Sequence, residues 1–231
     1  AQIERGDPQT GQPDPKGQAL RGYRYSRGWA DDQKVYFYAE FSKPFKDFKV
    51  IRGNIQIWPD EFKDIAAFAH AYFEAEPQEQ IMMKVALSPV SVEGAYANMK
   101  AELSGWDFEA TAKAAKQEWN EELGKIKIEG KDKEALKIFY TALYHAMIAP
   151  STFCDVDGSY RGANGQTYEN PGYQTHTTFS LWDTYRAAMP LYSIFQTERY
   201  TDMLLTMISI CDEQGKLPVW HLHGCETNCM V

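Results

Sequence analysis

The chain has 231 residues, enough for one large domain or two smaller ones, and 44% of them are hydrophobic. Its formal net charge is −8 and its basic residues form no stripe or cluster, which argues against nucleic-acid binding. No apolar run approaches the ~18 residues that a membrane-spanning helix needs, so no membrane span is predicted.

The first 90 residues carry the signals of β-strands. From Lys34 to Ser42, side chains alternate between the two faces of an extended chain. Further strands are predicted from Phe48 to Trp58, where Pro59 ends the pattern, and, less clearly, over 65–73 and 81–87. Several short strands separated by turn signals predict an antiparallel β-sandwich.

After Ser91 the pattern changes to the period of a helix. Ser91 and Asp107 are candidate N-caps, since a side-chain oxygen there can accept a backbone N–H of the first turn. Apolar residues then recur at helical spacing in three segments: Phe108 to Leu123 before Gly124, Leu136 to Met147 before Pro150, and Tyr200 to Cys211 before Gly215.

Strands followed by helices indicate an α+β arrangement or separate domains. We place a β-sandwich portion at residues 1–104, a helical linker at 105–130 and a helical part at 131–231. The helical part has too few helices to bury its own apolar faces, so it is expected to be unfinished at Val231.

Asp155 and Asp157 with Gly158 resemble the start of a calcium-binding loop. Such a loop needs an acidic residue at its twelfth position, which here is Gln166. A turn with solvated carboxylates is therefore favoured over a metal site.

Trp182 and Asp183 are adjacent and offer what a sugar requires. An aromatic ring can cover the apolar C–H face of a sugar, while a carboxylate can accept hydrogen bonds from two of its hydroxyls. The alternative is a packed Trp182 with Asp183 paired to Arg186 on one helix, and spacing alone does not separate the two.

The C-terminal segment is dense in polar side chains. His221, His223 and Glu226 suit a functional loop, but His221 could be a buried, hydrogen-bonded histidine and Glu226 a charge at a helix N-terminus. Cys225 and Cys229 could pair on a metal, although zinc sites usually need four ligands, so free thiols are favoured.

Taken together, five ordered motifs resemble glycoside hydrolase family 92, the calcium-dependent exo-α-mannosidases. They are Phe139–His145, Asp155–Gly162, Ser180–Arg186, Leu217–Trp220 and Glu226–Met230. The first half agrees at Gly28–Ala30 and Phe41–Phe45, so the resemblance runs from about residue 20 to the last residue.

The resemblance implies an N-terminal β-sandwich, a helical linker and the start of an (α/α)6 barrel, with this chain as a central fragment. It implies exo-acting hydrolysis of terminal α-mannosides with inversion, secretion or a periplasmic location, and Ca²⁺ as cofactor. The general acid, the general base and most calcium ligands are expected in a further C-terminal barrel segment, so no catalytic or metal-binding residue is assigned within this chain.

By the same resemblance, Trp182 and Asp183 contact mannose in the −1 subsite, and Glu226 lies on the same barrel mouth. His221 and Cys225 stand where an acidic residue and an asparagine are expected, which leaves linkage specificity open. The partners implied are a mannose-containing glycan and the remaining barrel segment. A non-catalytic glycan-binding or scaffold module is the alternative function.

Overall fold

The structure, a computed structural model, describes residues 1–14, 16–57 and 62–229. Two compact units are present. The first comprises Ala1–Arg27, Asp32–Trp106 and Asp155–Asp157; the second comprises Gly28–Asp31, Asp107–Cys154 and Gly158–Val231. Pro59, predicted to end a strand, and Met230, part of a quoted motif, lie outside the described residues.

Among its described residues, the first unit contains six strands and one helix. They are β1 (Gln2–Gly6), β2 (Ala19–Ser26), β3 (Gln33–Phe41), β4 (Asp47–Ile57), β5 (Phe62–Tyr72), β6 (Met83–Ser88) and α1 (Val92–Glu102). A four-stranded antiparallel sheet has the order β1-β2-β3-β6, while β4 and β5 pair separately. The four predicted strands are confirmed within a few residues.

Strands β1 and β2 were not predicted, because charged residues interrupt their apolar pattern. Arg21 of β2 is buried, and its guanidinium pairs with Glu4 at 3.2 Å and with Glu93 at 2.8 Å. From the sequence alone an arginine is expected at the surface, because arginine is almost never fully buried unless it is paired.

Helix α1 covers one face of the four-stranded sheet. Tyr38 of β3 and Ala19 of β2 are fully buried against Ala95 and Met99 of the helix. The helix begins as predicted, because the Ser91 hydroxyl accepts the Gly94 N–H at 2.9 Å.

The described part of the second unit contains five helices and several short strands. The helices are α2 (Phe108–Leu123), α3 (Lys133–Ala146), α4 (Leu181–Thr184), α5 (Ala188–Phe195) and α6 (Thr197–Gln214). The short strands are β7 (Ser151–Thr152), β8 (Tyr160–Arg161), β9 (Thr167–Tyr168), β10 (His176–Thr177), β11 (Phe179–Ser180), β12 (Trp220–Leu222) and β13 (Cys225–Glu226). Strands followed by helices are thus confirmed as the order of the chain, and no described helix is long and apolar enough to cross a membrane.

The three predicted helices of this unit are present with the predicted ends. Asp107 caps α2 by accepting the Ala110 N–H at 2.9 Å, and Gly215 ends α6 in the left-handed conformation with φ of 80°. No residue of α2 is buried, so its predicted apolar face packs only in part, with Trp119 against Tyr144 at 4.6 Å between ring centroids.

The core of the second unit anchors β11. Phe179 of β11 is fully buried with Met189 and Tyr192 of α5 and Met203 and Ile210 of α6. The residues that follow Phe179 are therefore held at a set position at the edge of this core. The predicted division of the chain at residues 104 and 130 stays a prediction.

Candidate functional site

Trp182 and Asp183 lie in the first turn of α4, immediately after β11, and both are exposed. Trp182 has 42% of its surface accessible. The Ser180 hydroxyl donates a hydrogen bond to the Asp183 carboxylate, and the Leu181 N–H donates to the Val219 carbonyl at 3.0 Å. The aromatic ring and the carboxylate are thus presented together on a fixed backbone.

The alternative interpretation of this pair, a packed Trp with an Asp183–Arg186 ion pair on one helix, is wrong. Helix α4 ends at Thr184, so Arg186 lies outside it. Thr184 closes the turn instead, with its hydroxyl donating to the Ser180 carbonyl at 2.9 Å.

A three-stranded antiparallel sheet joins this pair to the C-terminal polar segment. In the order β11-β12-β13, Ser180 lies opposite Trp220, and His221 lies opposite both Phe179 and Glu226. Residues 40 positions apart in sequence are therefore neighbours in one hydrogen-bonded sheet. The pairing places Trp220 opposite Ser180, whose hydroxyl donates to Asp183.

Glu226 binds the backbone of its own sheet. Its carboxylate accepts N–H groups from Val219 at 2.7 Å, Trp220 at 3.0 Å and Asn228 at 3.0 Å. Burial alone would raise the pKa of Glu226, but these three backbone N–H groups outweigh it and lower the pKa below its usual value.

Glu226 lies in β13, so the interpretation as a charge at a helix N-terminus is wrong. Its oxygen Oε1 accepts two of the three N–H groups and Oε2 accepts one. Oε2 retains capacity for a further donor, and the predicted contact of Glu226 with a sugar stays a prediction.

His221 is buried, with 2% of its surface accessible, but it is not hydrogen-bonded as the sequence alternative supposed. Neither ring nitrogen has a hydrogen-bond partner among the described residues. Burial lowers the pKa of His221 to about 4, with the Glu226 charge acting in the opposite direction. The ring is therefore neutral at neutral pH and carries no charge into the sheet.

The prediction of a turn with solvated carboxylates is wrong for Asp155, which is buried, whereas Asp157 is exposed as expected. Only 4% of the Asp155 surface is accessible, and its carboxylate accepts the Ser88 hydroxyl at 2.7 Å and the Asn98 amide at 2.8 Å. Burial raises the pKa of Asp155. Gly94 makes room for the carboxylate, since a Cβ there would overlap an oxygen of Asp155.

These contacts do not fit a calcium site at 155–157. The Asp155 carboxylate is buried, and both of its oxygens point at side-chain donors rather than toward solvent, so the carboxylate is not presented to a cation. Over 1–14, 16–57 and 62–229, no group of three or more His, Cys, Asp or Glu side chains is arranged to hold a metal ion. None of the four cysteines, all within the described residues, forms a disulfide bond, and each is partly buried.

Trp29 is an exposed aromatic residue beside Trp220 that reasoning from the residues did not single out. It belongs to the second unit, has 69% of its surface accessible, and its ring centroid lies 5.9 Å from that of Trp220. The available signal was a tryptophan in the run Gly28-Trp29-Ala30-Asp31-Asp32, because a large aromatic residue in a short polar turn has no obvious core to join.

Residues 94–231 match the glycosyl hydrolase family 92 catalytic domain, and residues 6–88 match the family's N-terminal domain. A family GH92 α-mannosidase from Bacteroides thetaiotaomicron is 32% identical, with a TM-score of 0.84 over 93% of this chain and 30% of that chain. Its complex with mannoimidazole matches with 33% identity and a TM-score of 0.83, over 92% and 29% of the two chains.

A family GH92 inverting mannosidase from Bacteroides thetaiotaomicron VPI-5482 is 25% identical, with a TM-score of 0.82 over 99% of this chain and 30% of that chain. No curated protein matches the sequence. The chain spans about 30% of the length of these solved relatives. The two domain matches and the 32% identity show that the chain belongs to glycosyl hydrolase family 92.

Proposed function

We propose that the protein is an exo-acting α-mannosidase that hydrolyses terminal α-mannosides of glycans with inversion. In this proposal the chain supplies part of the sugar-binding surface, while the general acid and base lie in a further C-terminal segment. The observation that carries it is the joint exposure of Trp182 and Asp183 on a core-anchored turn, in a chain whose solved family relatives are mannosidases.

Hydroxyl recognition is the role proposed for Asp183. An ionised carboxylate has about four lone-pair positions, and Ser180 occupies one of them. The remaining positions can accept two adjacent sugar hydroxyls, while the Ser180 bond fixes the orientation of the carboxylate. Such hydrogen bonds to a charged acceptor are stronger than those between neutral groups.

Trp182 would contact the apolar face of the mannose in the −1 subsite. Its indole is accessible and adjacent in sequence to Asp183, so ring and carboxylate can contact one hexose together. Glu226 would support the same subsite by holding Trp220 and Val219, and its Oε2 could accept one further hydroxyl.

Inverting hydrolysis would proceed by attack of water on the anomeric carbon as the bond to the leaving oxygen breaks. A carboxylic acid gives its proton to the leaving oxygen, and a carboxylate takes one from the water, with the two groups roughly 6.5–9.5 Å apart. Neither role is assigned to this chain. The β-sandwich, the helical linker, the start of an (α/α)6 barrel and a secreted or periplasmic location belong to the same proposal.

Calcium dependence also belongs to the proposal, with most of the ligands expected outside this chain. The test is turnover of α-mannobiose by the full-length protein before and after treatment with a chelator, followed by addition of Ca²⁺. Activity that survives complete chelation would remove calcium from the proposal and leave the hydrolase assignment in place.

The central test replaces Asp183 by Ala in the full-length protein, with Asp212→Ala on α6 as the control for loss of an exposed carboxylate. Losing two charge-assisted hydrogen bonds at about 1.5–3 kcal/mol each lowers kcat/KM for α-mannobiose by at least about 100-fold. The control is expected to stay within about twofold of wild type.

Unchanged kinetics for Asp183→Ala would remove Asp183 from the site. Tight binding of mannosides by the full-length wild type without any release of mannose would instead favour the alternative function, a glycan-binding or scaffold module.

A further inference from the structure

Trp29 is presented outward by a tight turn. The Gly28 N–H donates to the Ala30 carbonyl at 3.0 Å, and Ala30, directly after the tryptophan, is buried. The turn is anchored on one side of Trp29 while the indole has 69% of its surface accessible, the largest exposed fraction of any described tryptophan. An exposed indole on an anchored backbone loses little conformational freedom when a ligand binds to it.

Trp220, the partner of Trp29, is held by its backbone on both sides. Its N–H donates to Glu226 at 3.0 Å, and its carbonyl accepts the N–H of Thr227 at 3.0 Å and the Thr227 hydroxyl at 2.9 Å. The planes of the two indoles are tilted by 48°, so the rings form an open angle rather than a closed stack. We define Trp29 and Trp220 as the tryptophan pair.

The tryptophan pair is joined to the proposed mannose site through one sheet. Trp220 lies opposite Ser180, whose hydroxyl donates to Asp183. Trp220 is therefore an aromatic residue on the strand next to the serine that orients the carboxylate proposed to hold the terminal mannose.

We propose that the tryptophan pair is a subsite for the second hexose of the glycan, the one that carries the terminal mannose. This inference rests on the proposed function and deepens it, since it makes a disaccharide the unit recognised. A pyranose ring has an apolar C–H face that an indole can cover and hydroxyls that neighbouring polar groups can bind. Continuity with the Trp182–Asp183 site favours a sugar as the occupant.

The experiment compares two substrates within each enzyme preparation. α-Mannobiose has a second sugar, whereas α-mannosyl fluoride has none, and both present the same terminal mannose. The variants are Trp29→Ala and Trp29→Phe in the full-length protein, with Trp119→Ala as a control for loss of a partly exposed tryptophan on α2. The ratio of the two kcat/KM values does not depend on how much enzyme is folded.

Trp29→Ala is expected to lower the ratio of mannobiose to fluoride turnover by roughly 10-fold, the size of one lost aromatic contact. Trp29→Phe keeps a smaller ring and should give an intermediate ratio, and Trp119→Ala should leave the ratio at the wild-type value.

An unchanged ratio in Trp29→Ala overturns the subsite, whether or not both rates fall together. A fall of the ratio in Trp119→Ala as large as that in Trp29→Ala does the same. If the wild type hydrolyses neither substrate, the proposed function itself fails and the subsite fails with it.

Discussion

The buried carboxylate of Asp155 gives a prediction whose size follows from its contacts. Replacing Asp155 by Ala removes the acceptor of the Ser88 hydroxyl and of one Asn98 amide hydrogen bond. A buried donor left without a partner costs about 1–3 kcal/mol. The Asn98 amide still donates to the Leu87 carbonyl at 2.9 Å, so its share lies at the low end of this range.

The summed loss expected for Asp155→Ala is about 2–4 kcal/mol in the free energy of unfolding. Asp155→Asn keeps the shape and one acceptor oxygen but turns an NH₂ group toward Ser88 or Asn98. Ser88 cannot readily accept it, because its oxygen already accepts the Val90 and Ser91 N–H groups. We therefore expect about half the loss of the alanine variant.

The assay is urea denaturation of the chain, followed by tyrosine and tryptophan fluorescence, with Asp212→Ala as the control. Asp212 is an exposed aspartate on α6, so its removal should cost no more than about 0.5 kcal/mol. Equal midpoints for Asp155→Ala and Asp212→Ala would refute the reasoning, because burial would then contribute nothing to the effect.

Glu226→Gln is expected to lower the free energy of unfolding by about 2–3 kcal/mol at pH 7, since an amide cannot accept all three backbone N–H groups that the carboxylate accepts. The pKa of Glu226 is lowered in the folded state, so the carboxylate stabilises the fold at pH values above its usual pKa of 4.5. This stabilisation is lost as the pH falls through the pKa of the folded state. A melting-temperature difference between Glu226→Gln and wild type that stays constant from pH 7 to pH 3 would contradict this. Ser91→Ala removes the N-cap of α1 and should lower the free energy of unfolding by about 1 kcal/mol, with Ser193→Ala on α5 as the control. Thermal unfolding followed by circular dichroism measures both variants, and equal shifts in melting temperature would argue against the cap.

Much of the secondary structure could be predicted because its signals are local. Alternation over Gln33–Phe41 defines β3 by itself, and the side chains of Ser91 and Asp107 cap helices within three residues of their own positions. Strands β1 and β2 were missed because charged residues interrupt their apolar pattern, among them Arg21, which is buried with Glu4 of β1 and Glu93 of α1 as its partners. Helix α4 appeared in the sequence analysis only as part of an alternative, because four residues are too few to show a helical period.

The sequence by itself determined the order of strands and helices, the caps, and the motifs that resemble family 92, since each depends on residues close together in the chain. Only the tertiary structure decided that Asp155 is buried and that Glu226 binds backbone N–H groups. It also decided that Trp29 stands beside Trp220. The reason is that burial and contact between distant residues depend on how strands such as β11 and β12 pair, and spacing along the chain does not record that pairing.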